Sequence, residues 1–365
     1  MTHIRQTPRI IRGIAVAAAV VLVATVSPSI TAQSSLLVVA SGLDNPRGLN
    51  FGPDGALYVA EAGRGGTSTL CAPAPDPPFP NRCYGPTGAI TRILALGDQR
   101  RVVVGLPSIA VANGGNAQGP VDIDFGLGSA WVTTGFGGNP ANRAPLEAAG
   151  VRLGWLYRVN SIGQAEPLID ISAFEATANP DGGAVDSNPF GLKMLSDRAL
   201  VADAGANAVV SISSTGVVST FAVFPNRVLP PTVQSVPTSI VVAPNGDTFV
   251  GELTGAPFVV GAAQVYRVPA GGGTPVAVAG GFTNIIDIAL APNGTGYVLE
   301  HDADGIIGPG VDGRVIRINT NGTQTVIAGA GLVKPGGITV GPDGAVYVTT
   351  HANTAGNGEV VRIAP

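Results

Sequence analysis

The 365-residue chain is 45% hydrophobic and only 12% charged, with 52 Gly and 30 Pro, which argues against both disorder and a helical bundle and leaves an all-β protein. Its net charge of -4 comes without any Lys/Arg cluster, so neither nucleic acid nor an anionic membrane surface is an expected partner.

Arg5, Arg9 and Arg12 precede an apolar run from Ile14 to Val26, followed by SPSITAQ. That run is too short to span a bilayer but suits the core of a signal peptide, with Ala32 the residue before the cut. Residues 1–32 therefore read as a leader and 33–365 as the working domain. The expected address is secreted or periplasmic, with no membrane span in the mature chain, whose charge falls to -7 once the three leader arginines are removed.

The stretch GLDNPRGLNFGPDGALYVAEAG (Gly42 to Gly63) sets a pattern that the chain repeats: an apolar run, a tight turn, and a second apolar run ending in a polar residue. APNGDTFVGE (Ala243 to Glu252), APNGTGYVLE (Ala291 to Glu300) and GPDGAVYVTT (Gly341 to Thr350) repeat it 48 and 50 residues apart. Asp-Gly or Asn-Gly between apolar runs predicts hairpins with both central residues at positive φ. The period predicts four-stranded blades.

Taken in order, each unit supplies an inner strand a, its hairpin partner b, a third strand c and an outer strand d. The first has Gly48 to Phe51, Ala56 to Ala60, Gly88 to Ile93 and Arg101 to Gly105. Its b-to-c insertion carries Cys71 and Cys83, the two cysteines of the chain, which most simply form a disulfide in an exported protein. The second unit has Pro120 to Phe125, Ala130 to Thr134, Gly154 to Val159 and a d strand near Glu166 to Ile169. The third has Pro189 to Met194, Ala199 to Asp203, Ala208 to Ile212 and Val217 to Phe224. The fourth, fifth and sixth start at Pro237, Ile285 and Gly337, with c strands at Ala263 to Val268, Gly313 to Ile318 and Gly358 to Ile363. The expectation is a six-bladed β-propeller of antiparallel blades.

The sixth unit stops after strand c, whereas Ser34 to Leu43 has the pattern of a d strand and precedes the first inner strand. Leu36 to Val39 should therefore pair with Val360 to Ile363 and close the ring, leaving no open edge. Tyr58, Trp131, Phe249, Tyr297 and Tyr347 share one b-strand position and should pack between blades. Long insertions fall only between b and c or between d and a, which emerge on one rim. Binding residues concentrate on such loops, so that rim is the expected working face for a small molecule or protein partner.

Strand b ends at Glu61, Thr134, Asp203, Glu252, Glu300 and Thr350 around the ring. These acids either hold a hard cation or accept N–H groups from their own b-to-c loops, and their distance from the axis favours the second role. Nearer the axis, the entries of strand a are Gly48, Asp122, Gly191, Ser239, Asp287 and Gly337. Blades two and five are opposite, so Asp122 and Asp287 should face each other across the mouth, with Asn188 and Asn284 close by. This is the candidate ligand site, with Glu61 and Glu300 further out, and Asp122 and Asp287 are the candidate metal ligands, calcium being the cofactor they suit. The loop His301 to Gly313 holds Asp302, Asp304 and Asp312 but departs from EF-hand spacing. His301 and His351 occupy equivalent positions, as solvated loop histidines or as a paired base or metal site. No nucleophile elbow, Walker loop, HExxH helix or dinucleotide fingerprint appears.

GLDNPRGLNFGPDGALYVAEAGRGG (Gly42 to Gly66), CYGPTGAITRI (Cys83 to Ile93), NPDGGAVDSNPFGL (Asn179 to Leu192), VADAGANAVV (Val201 to Val210), SVPTSI (Ser235 to Ile240), GELTGAPF (Gly251 to Phe258) and GFTNIIDIA (Gly281 to Ala289) together resemble the ScyD/ScyE family. That family, named from scytonemin biosynthesis clusters, is similar to NHL-type propellers, and the resemblance implies an exported propeller while supplying no catalytic residues. Three activities fit: a binding protein accessory to secondary-metabolite chemistry, a calcium-dependent lactonase-like hydrolase using Asp122, Asn188 and Asp287, and a quinone-dependent sugar dehydrogenase, which the PRGLNFGPDG opening resembles. The last needs an early-blade histidine, and none lies between His3 and His301. The binding role is the expected one.

Overall fold

In the computed structural model, which describes residues 29–30, 35–73, 80–95, 98–229 and 231–364, six antiparallel sheets stand around a common axis. Their inner strands are Pro46–Phe51, Pro120–Gly126, Pro189–Met194, Pro237–Val242, Ile285–Leu290 and Gly337–Val340, each packed against the next around the ring. The expected leader lies outside the described residues except for Ser29–Ile30, which adds a short parallel strand to the outer edge of blade five along Thr325 and Val326. Among the described residues no helix is long and apolar enough to cross a membrane.

The ring closes as expected. Leu36–Leu43 is the outer strand of blade six, with Leu36 opposite Ile363, Val38 opposite Val361 and Ala40 opposite Val360. Apolar side chains on the facing sheets fill the space between blades, so the core is divided into inter-blade clusters rather than one central mass. The b-strand aromatics work there. The Tyr58 ring meets Phe125 of blade two edge-on at 5.0 Å, and Tyr347 meets Phe51 of blade one at 5.2 Å.

The a-to-b turns differ from the expected geometry. In GPDG only Gly55 takes positive φ (76°), as do Gly246, Gly294 and Gly344 in their copies, whereas Asp54, Asn245, Asn293 and Asp343 do not. Gly55 N–H donates to Gly52 O (2.9 Å), so Pro53 and Asp54 are the centre of a type I turn and the glycine follows it in the left-handed region. Pro53 suits the first central position because its ring fixes a negative φ.

The insertions are more ordered than loops. In blade one the outer hairpin runs through Arg82–Ala95 and Asp98–Ala110, well beyond the expected Gly88–Ile93 and Arg101–Gly105, and Cys71–Ala72 pairs onto its extension beside the Cys71–Cys83 disulfide. Blade two contributes a 3-10 turn (Pro140–Arg143) and a short helix (Ala144–Ala148), and Ile171–Ala178 forms a helix capped by the Asp170 carboxylate. Ala72, Ile109, Phe136, Leu146, Val151 and Leu153 bury one another beneath these segments. The elaborated rim therefore has a core of its own.

Candidate functional site

The inner strands bring Asp122 and Asp287 to one level, on opposite blades. Each carboxylate is fixed twice by backbone. Asp122 Oδ1 accepts the Ile123 N–H (2.8 Å) and Oδ2 the Leu192 N–H of blade three (2.7 Å). Asp287 repeats this with Ile288 (2.8 Å) and with Ile338 of blade six (2.8 Å). Each aspartate thus ties its blade to the next. The glycines at the other entries make room: a Cβ on Gly48 would lie 2.1 Å from Asp122 Oδ1, and one on Gly337 would lie 2.7 Å from Arg47 O.

Burial is the main cause that raises both carboxyls above their usual range, and the charge of Asp287 pushes Asp122 further up. Together they hold a proton to higher pH than an isolated carboxylate would. They line an axial cavity of about 540 Å³ that extends from their level to the short a-to-b turns, where Pro244, Pro292 and Pro342 are exposed. The pair was expected at a mouth on the insertion-bearing rim. The cavity leads instead to the opposite, trimmed rim.

A second polar level lies two residues further along the inner strands. Asp124 accepts from Asn50 Nδ2 (2.7 Å) and from the Met194 N–H (2.7 Å), and its Oδ2 is 2.9 Å from Lys193 Nζ. Sequence reasoning missed Asp124 and Lys193. The signal was available: side chains two apart on a strand share a face, so Asp122 and Asp124 had to point the same way.

The other candidates do not join the pair at the axis. Asn284 is buried, its Nδ2 donating to Leu253 O (3.0 Å) and its Oδ1 accepting the Ile306 N–H (3.1 Å). Asn188 donates its N–H to Asp203 Oδ1 (2.6 Å), and its own Oδ1 has no hydrogen-bond partner. Glu61 and Glu300 are fully buried. Glu61 accepts from Asp44 N (2.7 Å), Thr91 Oγ1 (2.5 Å) and Arg101, and Glu300 from Thr283 N (2.7 Å) and Arg314 Nε (2.7 Å). Glu252 does the same with Ser235 Oγ (2.8 Å) and Arg227 (2.7 Å). These acids were expected to serve their own b-to-c loops. Mostly they grip the approach to strand a, and Asp203 grips both, accepting from Asn188 N and from Gly205 N (3.2 Å).

The two histidines take separate partners. His301 is buried, with Nδ1 2.8 Å from Pro335 O and Nε2 3.3 Å from Asn353 Nδ2, and burial lowers its pKa to about 4. His351 has positive φ (57°) and an unpartnered Nδ1. Asp302 pairs with Lys334 and accepts the Asp304 N–H (3.0 Å). Among the described residues no three His, Cys, Asp or Glu side chains form a metal-holding group. Asp122 and Asp287 alone fall short of the six to eight oxygens that calcium takes.

No protein-family model matches the sequence, and no curated protein sequence matches it. Solved structures do. A streptogramin B lyase superposes with a TM-score of 0.50 at 14% identity, covering 90% of this chain and 97% of that one. A glucose dehydrogenase gives 0.50 at 12% identity, covering 91% and 99%. The soluble aldose sugar dehydrogenase of Escherichia coli gives 0.49 at 13% identity, covering 91% and 100%. The likeness is one of fold. It shows the propeller architecture alone, and the names of these neighbours, a lyase and two dehydrogenases, already differ in chemistry.

Proposed function

We propose that this protein is a binding propeller whose axial cavity takes a small ligand bearing a cationic or hydrogen-bond-donating group at the Asp122–Asp287 pair. The observation that supports it most is the convergence of two half-buried carboxylates at the inner end of a 540 Å³ cavity, with no guanidinium or ammonium among their hydrogen-bond partners. Concave sites with a few convergent polar groups are the usual geometry of small-molecule recognition. The resemblance to the ScyD/ScyE family supports the finer reading of an exported protein accessory to secondary-metabolite chemistry. A second reading, a lactonase-like hydrolase, uses the same pair: carboxyls held protonated toward neutral pH suit general acid catalysis.

The test is the Asp122→Asn, Asp287→Asn double variant. Raised carboxyl pKa values stabilise the fold fully below the unfolded pKa of about 4, and that contribution is lost as pH rises through the folded values. Wild type should therefore lose stability relative to the double variant as pH rises from about 4 through neutrality. A diamine probe should bind wild type more tightly as the pair ionises and bind the double variant at least about tenfold more weakly, about 1.4 kcal/mol. Parallel pH–stability curves with equal diamine affinity would remove the axial site, and lactone turnover by wild type alone would favour the hydrolase.

A further inference from the structure

Strand c carries an arginine at one repeated position, Arg92, Arg158, Arg267, Arg317 and Arg362, in every blade except the third. The residue directly opposite on strand d is Glu166 in blade two, Val276 in blade four, Thr325 in blade five and Leu37 in blade six. Blade one instead sets a second arginine there, Arg100. Like charges directly opposite one another destabilise a sheet, so this departure from the repeat has a cost. Arg92 is neutralised by Asp54, whose Oδ2 accepts from its Nε (3.0 Å) and Nη2 (2.6 Å). Arg101, next in sequence, turns to the other face and is held by Asp44 and Glu61. Arg100 is exposed, and among the described residues no carboxylate pairs with it.

A second departure lies across the seam, in blade two. The c-to-d turns of blades two to five close alike, the N–H of Gly163, Gly216, Gly272 or Gly322 donating to the carbonyl three residues back. The residue before that glycine is Thr215, Gly271 or Asn321 in blades three to five, ordinary turn formers, but Ile162 in blade two, where it is 75% exposed. Arg100 and Ile162 line the same cavity of about 950 Å³ between blades one and two. Its floor is the buried trio Ile90, Val103 and Ile123, and Phe125, edge-on to Tyr58, forms part of its wall. Both breaks in the repeat therefore face one apolar hollow.

We propose that this seam binds a small organic anion, whose carboxylate or sulfonate is taken by Arg100 with Arg92 beside it and whose apolar body lies over the Ile90, Val103 and Ile123 floor against Phe125 and Ile162. Charge selects the sign of the ligand. Asp54 cancels one of the two guanidinium charges, which leaves one positive charge for a monoanion, and a guanidinium offers a carboxylate or sulfonate two parallel N–H donors. A bound anion also relieves the repulsion between the opposed arginines. The site is separate from the axial pair, which selects the opposite charge.

The experiment titrates the full chain with naphthalenesulfonate and with uncharged naphthol by calorimetry at neutral pH and low salt. Wild type should bind one naphthalenesulfonate per chain, at least about tenfold more tightly than naphthol, about 1.4 kcal/mol, and more weakly as salt rises. Arg100→Gln should weaken the sulfonate at least about tenfold, leave naphthol unchanged and melt no lower than wild type, because it removes a like-charge pair. Ile162→Asn, which gives blade two the turn residue of blade five, should keep the fold and weaken both probes. The Asp122→Asn, Asp287→Asn variant should bind naphthalenesulfonate as wild type does, and loss of binding there would place the anion at the axis and overturn the proposal. So would equal sulfonate affinity in wild type and Arg100→Gln, equal affinity of wild type for the two probes, or no sulfonate binding at about 5 mM.

Discussion

Leu43→Ala tests whether the closing strand holds the ring together. Leu43 is 1% exposed and packs with Leu49, Val59 and Val360, which joins the closing strand to blades one and six. Truncating a fully buried leucine removes its transfer free energy and leaves a cavity, at a cost of about 3–5 kcal/mol. Leu37 lies on the same strand but is 49% exposed, so Leu37→Ala should change stability by no more than about 0.5 kcal/mol. Equilibrium unfolding in guanidinium, followed by the fluorescence of Trp131 and Trp155, suits the purpose because both indoles are in blade two, away from the altered blade. Loss of their signal at lower denaturant in Leu43→Ala shows that closure stabilises the ring as a whole. Equal midpoints for the two variants, or a loss under about 1 kcal/mol in Leu43→Ala, would refute the reasoning.

Glu61→Ala leaves the Asp44 N–H, the Thr91 hydroxyl and Arg101 without their shared acceptor and should destabilise by about 3 kcal/mol, whereas Glu166→Ala, which breaks an exposed pair with Arg158, should cost well under about 1 kcal/mol; denaturation midpoints compare them. Equal effects would mean that the buried acid is no latch. The Cys71→Ser, Cys83→Ser variant should lose about 3 kcal/mol in the chain-entropy picture of a 12-residue separation, and a thiol reagent should label neither cysteine before reduction. Stoichiometric labelling of the unreduced native protein would contradict the bridge.

The ring was legible because its signals are repeated. Four copies of one turn motif, the last three of them 48 and 50 residues apart, and a final unit lacking a strand whose pattern occurs at the other end, leave little choice of topology. Local conformation was less legible. The Asp-Gly rule overlooked the proline before it, which placed the turn centre one residue earlier and left the glycine alone at positive φ. The helix Ile171–Ala178 lies in a d-to-a insertion and leaves little trace in the sequence, because eight residues barely establish a period. The opposition of Asp122 and Asp287 followed from blade counting. The direction of their cavity did not, since strand patterns say which residues share a level but not which end of an axis the neighbouring side chains leave open.

The pairing of Leu36 with Ile363 also bears on how the protein folds. Strand c and strand d of an ordinary blade meet across a few residues, but this contact must bring together points more than 320 residues apart, so chain-closure entropy makes it the slowest pairing to nucleate. Blades one to five can assemble from local hairpins while the edge of blade six waits. The same geometry leaves Leu36 and Ile363 side by side in one sheet. A peptide joining them, with new ends opened at an exposed turn such as Asp54–Gly55, would turn the slowest contact into a local hairpin, and the permuted protein should refold faster while keeping the same blades.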